Sequence, residues 1–137
     1  MREASALQAR TVLDQLRREL AGARFAYAFG SILTAAFGDE SDVDVAVDLG
    51  APLTATGRLA LAATLAAAVG RDVDIVDLRA ADPVIKMQVL RYGQPLVVGD
   101  LAARYAFEMT ALSEYMDLKL DRAPVEAMIA RSRALPG

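Results

Sequence analysis

The sequence predicts an α/β (α+β) domain: a small sheet of about four strands, flanked by helices and followed by a long C-terminal helix. Three observations carry that expectation. Four short runs, at Phe25–Phe29, Asp42–Asp48, Arg71–Leu78 and Pro95–Val98, are either continuously apolar or alternate with the period of a strand. Longer stretches between and around them place apolar residues at steps of three and four, as an amphipathic helix does. Glycine or proline punctuates the junctions, at Gly22, Gly38, Gly50, Pro52, Gly70 and Gly93.

With 137 residues the chain suits a single domain, 1–137, in which about 121–137 form a helical or flexible C-terminal tail. A hydrophobic fraction of 55% is enough for a core without covalent staples. There is no cysteine, which excludes disulfides and thiolate metal sites, and no histidine, which excludes imidazole acid–base chemistry. Carboxylates, Lys, Tyr and hydroxyls are left to do any chemistry. The net charge is −3 and the basic residues are scattered, so direct nucleic-acid binding is disfavoured. No stretch approaches membrane-spanning length and the N-terminus lacks a signal-peptide core, so a cytoplasmic protein is expected.

In chain order, Leu7, Val12, Leu13, Leu16 and Leu20 mark a first helix over about Ser5–Ala21, its arginines forming a solvated face. The apolar run ending at Phe29 reads as a buried strand, and a short helix is expected from Ser31 to Phe37, ended by Gly38. Asp39, Glu40 and Ser41 form a polar loop. Val43, Val45 and Val47 then alternate with Asp42, Asp44, Ala46 and Asp48 in a half-buried strand. Thr54 or Thr56 caps a helix running to Val69. In the third strand Asp72 and Asp74 share one face, while Val73 and Ile75 take the other. Charges there, Asp77 included, also suit an exposed strand edge. Asp82 and Pro83 open a helix to Tyr92 bearing Lys86 and Arg91, either of which could reach the phosphates of a nucleotide, although such cations on a helix surface are usually just solvated. After the fourth strand, Leu101, Tyr105, Met109, Leu112 and Met116 stripe a long helix from Asp100, a core or partner-facing row, and Val125–Arg133 is expected to form one more short helix beyond Pro124.

The chemistry concentrates between Phe29 and Asp48. Gly30 lets the backbone turn sharply and approach a ligand. Ser31 follows at a helix start, a setting that attracts phosphate. Ten residues separate Ser31 from Asp42, and Asp42 and Asp44 point the same way because side chains at i and i+2 share a strand face. Paired carboxylates repel unless a cation lies between them, and hard oxygen donors favour Mg²⁺ or Mn²⁺. A phosphate-binding turn beside metal-holding carboxylates points to nucleotide chemistry. P-loop and Rossmann glycine patterns are absent from the sequence.

This pattern, G-S, ten residues, then D-x-D within S-D-V-D-V-A-V, resembles the signature of the nucleotidyltransferase superfamily that includes DNA polymerase β, and the short chain most resembles its minimal nucleotidyltransferase (MNT) branch. E-Y-M-D-L-K in the last helix is similar to the end of MNT antitoxins. The resemblance implies the nucleotidyltransferase fold with a mixed sheet, and a protein adenylyltransferase of a HEPN/MNT toxin–antitoxin pair. Such an antitoxin transfers AMP from ATP to tyrosine of a helical HEPN ribonuclease toxin. It also implies that Asp42, Asp44 and Asp74 are catalytic and hold metal, a pair of Mg²⁺ ions, with Asp74 matching the family's V-D-[LI]-V pattern. Gly30 and Ser31 would then bind the nucleotide phosphates. The chain departs from the family after G-S, where a basic residue is common and Ile32, Leu33 and Thr34 stand instead. That departure leaves open an antitoxin that works by binding alone. A small-molecule nucleotidyltransferase ranks lower, because about forty residues follow the last strand and leave no room for a second, acceptor-binding domain. Homo-oligomerisation stays open.

Overall fold

In a computed structural model, residues 2–134 are described, with side chains over residues 5–120. The elements run α1 (Arg2–Glu19), β1 (Phe25–Phe29), a 3₁₀ turn (Gly30–Leu33), β2 (Val43–Asp48), α2 (Ala55–Val69), β3 (Val73–Asp77), α3 (Pro83–Tyr92), β4 (Gln94–Val98) and α4 (Leu101–Ala134). The four strands form one sheet in the order β3-β2-β1-β4. β1 pairs antiparallel with both β2 and β4, while β2 and β3 are parallel, so the sheet is mixed as expected.

Strand alternation builds two cores, one on each face. Ala26, Ala28, Val43, Val45, Val47, Val73 and Ile75 pack against Val12, Leu16 and Leu20 of α1 and Leu65 of α2. On the other face Phe25, Tyr27 and Ala46 meet Val89 of α3, with Phe107 of α4 alongside. Both faces of the sheet are thus covered, which is why β1 reads as a continuous apolar run rather than an alternating one.

The caps match the residues that make them. Thr54 Oγ1 accepts from Gly57 N at 2.9 Å to open α2, and Gly70, at φ +70°, closes it in the left-handed conformation. Asp82 accepts from Ile85 N at 2.9 Å, with Pro83 in the first turn of α3.

Three expectations are corrected. The short helix placed at Ser31–Phe37 is a single 3₁₀ turn, Gly30–Leu33, after which Thr34 is extended. Thr34 Oγ1 donates to Ser31 O and accepts from Ala36 N, a local alternative to the helical ladder that threonine offers readily. The separate helix expected over Val125–Arg133 is instead the continuation of α4, which runs through Pro124; a proline removes one ladder bond without necessarily ending a helix. Asp77 is no exposed edge charge. It is buried, and its carboxylate accepts from Leu53 N at 2.9 Å and Arg79 N at 3.0 Å, fixing the loop that enters α2.

Candidate active site

The carboxylates expected from the sequence meet the glycine turn at one end of the sheet. Phe29, the last residue of β1, pairs with Asp44, and Asp44 pairs on its other side with Asp74. Gly30 leaves β1 at φ +83°, and a Cβ built there would collide with Oδ2 of Asp44. Any larger residue therefore faces both a strained backbone and the space already taken by the Asp44 carboxylate. Asp42 lies two residues before Asp44, exposed at the entrance to β2, and Asp74 is exposed on β3. Burial alternates along β3 so that Val73 and Ile75 face the α1/α2 core and Asp74 the opposite side.

Electrostatics ties the three acids together. The pKa of Asp44 is raised, first because its carboxylate is partly buried, then by the charge of Asp74 and then by that of Asp42. The patch is thus an unrelieved concentration of negative charge on hard oxygen donors. A divalent cation such as Mg²⁺ fits that donor set, and binding one would relieve the repulsion that pushes Asp44 up. The acids are neighbours rather than a closed cage: among the described residues no three acidic side chains form a ready metal-binding group. A metal here would need further ligands, as from the phosphates of a bound nucleotide, the usual way in which Mg²⁺ is held.

Around this patch the expected minor candidates separate. Asp72 is exposed, and its carbonyl accepts from Val43 N at 2.9 Å, fixing the start of β2 directly after Asp42. Lys86 pairs with Glu114 at 3.2 Å and joins α3 to α4. Arg91 lies exposed, 6.0 Å from the Tyr92 ring. A residue that sequence reasoning passed over is Arg71. Its guanidinium donates to the carbonyls of Gly38 and Ser41 and stacks 4.2 Å above the Phe37 ring, so it holds the loop leading into Asp42. Nothing in its sequence position, one residue past a helix-ending glycine, announces that role.

The arrangement resembles known proteins at every level of comparison. Residues 13–101 match the family model for the polymerase beta nucleotidyltransferase domain. The chain is 32% identical over 124 residues to protein adenylyltransferase MntA of Shewanella oneidensis, covering 90% of this chain and 88% of that protein. Among solved structures, a chain from a toxin–antitoxin crystallised with AMP-PNP superposes with a TM-score of 0.70 at 30% identity, covering 89% of this chain and 98% of the other. A chain from the complex of the tri-AMPylated Shewanella oneidensis HEPN toxin with its MNT antitoxin gives 0.67 at 29% identity, covering 92% and 98%. The chain therefore belongs to the polymerase beta nucleotidyltransferase family, on the branch that contains MntA.

Proposed function

We propose that this chain is an antitoxin that transfers AMP from ATP to tyrosine hydroxyls of a HEPN-type ribonuclease toxin, in the cytoplasm. The observation that carries the reading is the junction of Gly30, Asp44 and Asp74 at one sheet end, with Asp42 beside it, in a chain similar to a protein adenylyltransferase. In this reading Asp42, Asp44 and Asp74 hold Mg²⁺. The metal, when bound, would neutralise phosphate charge and lower the pKa of an incoming hydroxyl. Ser31 and the backbone of the turn grip the phosphate tail, and Asp74, the most open of the acids on the strands, takes the proton from the attacking tyrosine. The hydroxyl oxygen bonds to the α-phosphorus and pyrophosphate leaves, so most of the work done by the chain is positioning.

Two variants test this together. Asp42→Ala and Asp44→Ala should keep the complex with the toxin, because the acids lie outside both cores. Each should lose at least about a hundredfold in transfer, the scale typical of removing a transition-state charge partner. Toxin neutralisation should fail with it. A second reading, neutralisation by binding alone, is favoured by the uncharged Ile32-Leu33-Thr34 after the turn; it is the correct one if both variants neutralise as well as the native protein.

A further inference from the structure

The three acids are not held equally. Asp44 and Asp74 face each other within the parallel ladder of β2 and β3, which begins at the pair Val43 and Val73 and fixes them directly. Asp42 is exposed and stands one residue before that ladder, so its carboxylate goes where the entering backbone puts it. That backbone is held on both sides from a single place, the first two residues after Gly70 ends α2. Upstream, Arg71 Nη1 donates to Gly38 O and, at 3.1 Å, to Ser41 O. Downstream, Val43 N donates to Asp72 O at 2.9 Å. Asp42 sits between the two anchors, and the segment that supplies them goes on to carry Asp74.

The upstream anchor has a firm footing. Phe37 is buried in the α1/α2 core, its carbonyl accepts from Ser5 Oγ at 2.6 Å, and the Arg71 guanidinium lies 4.2 Å above its ring. The loop that follows closes on itself: Gly38 N donates to Ser41 Oγ at 2.9 Å and Ser41 N to Gly38 O at 3.2 Å. The ring fixes the plane of the guanidinium, and the N–H groups in that plane meet two carbonyls of the closed loop. Arginine is the side chain that stacks flat and donates sideways at once.

We infer that Arg71 is the positioning residue of the acid patch: it keeps Asp42 in register with Asp44 and Asp74, and the affinity of the three carboxylates for a divalent cation depends on it. The inference rests on the reading above, in which those acids hold Mg²⁺. Arg71 touches neither nucleotide nor acceptor in this role and acts through the backbone of Ser41. Without it the ladder would still set Asp44 against Asp74, while Asp42 would lose its upstream hold and the site would spend binding energy on ordering it.

Equilibrium binding of Mn²⁺, read from the loss of the free-ion paramagnetic resonance signal, tests this without turnover. The native chain should bind the ion and the Asp42→Ala/Asp44→Ala double variant should not. Arg71→Ala should bind about tenfold or more weakly, the scale on which groups behind metal ligands act. Arg71→Lys, which can donate to a carbonyl but cannot stack flat, should fall between the two. Thr54→Ala removes the cap at the other end of α2 and controls for lost stability; it should bind as the native chain does. Native-like binding by Arg71→Ala would overturn the inference and leave the metal-holding role of the acids standing. An equal loss in Thr54→Ala would overturn it too, by tracing the effect to stability alone. If circular dichroism shows Arg71→Ala unfolded, Arg71→Lys decides: weaker binding than native upholds the inference and native-like binding overturns it. A native chain that binds no better than the double variant would overturn the metal reading and the role of Arg71 with it.

Discussion

Asp44 is the residue at which fold and chemistry compete most directly. Its carboxyl titrates above the usual range because of burial and then the charges of Asp74 and Asp42. A carboxyl raised in the folded state favours the fold in its neutral form; that contribution is complete below the ordinary aspartate value and is lost as pH rises through the raised one. At neutral pH without metal, ionised Asp44 therefore costs stability. Asp44→Asn should raise the melting temperature at pH 7 in metal-free buffer by about 1–3 °C, a modest shift because solvent screens a partly open site. The gain should shrink as pH falls through the raised value, where the native side chain itself becomes neutral. A variant that melts below the native protein at pH 7 would contradict this picture of the patch. At this scale the sequence was informative about identity and silent about reasons. Alternation alone sets Asp42 and Asp44 on one strand face, but the collision partner of Gly30 lies fourteen positions along the chain, and the pairing of Asp74 with Asp44 depends on a parallel register that no local pattern encodes. Arg71 was missed for the same reason, since its partners are carbonyls about thirty residues away.

Among the elements, α4 is fastened to the sheet by a polar tie as well as by packing. Tyr27, buried in β1, donates its hydroxyl to Glu108 Oε1 at 2.9 Å and accepts from Arg104 Nε at 3.1 Å. Burial, followed by the Glu108 hydrogen bond, pushes the phenol up to about 12. The stabilisation lent by the neutral phenol is present below its unfolded value near 10 and lost as pH rises through about 12. Spectrophotometric titration of the tyrosines should accordingly show a late phase near 12 that disappears in Tyr27→Phe; a native titration without that phase would dissolve the tie. Helix limits follow the sequence closely where capping residues speak for themselves, as at Thr54, Gly70 and Asp82. The 3₁₀ turn was harder to read, because Thr34 satisfies the backbone locally and Ile32 and Phe37 are drawn into the core of the α1/α2 face. Asp77 looked like a surface charge since its partners arrive from the loop before α2, a tertiary event.

Across the whole molecule, the two-faced core was legible from the apolar run of β1 and the valine alternation of β2, whereas the order β3-β2-β1-β4 rests on long-range pairings that no local pattern encodes. Leu101, Tyr105, Met109, Leu112, Met116 and Leu120 remain exposed along α4, so the row read from the sequence is not core. No helix among the described residues is long and apolar enough to cross a membrane. The candidate acids and the glycine turn, by contrast, gather at one sheet end, and the proposed function stands or falls on what that end does to a partner. The decisive measurement is the intact mass of a HEPN-type toxin that forms a complex with this chain, after incubation with the chain, Mg²⁺ and ATP, alongside the Asp42→Ala/Asp44→Ala double variant. The account predicts a gain of whole AMP units with the native chain and none with the double variant. An unchanged mass with the native chain, in a mixture where the two proteins form a stable complex, would contradict it.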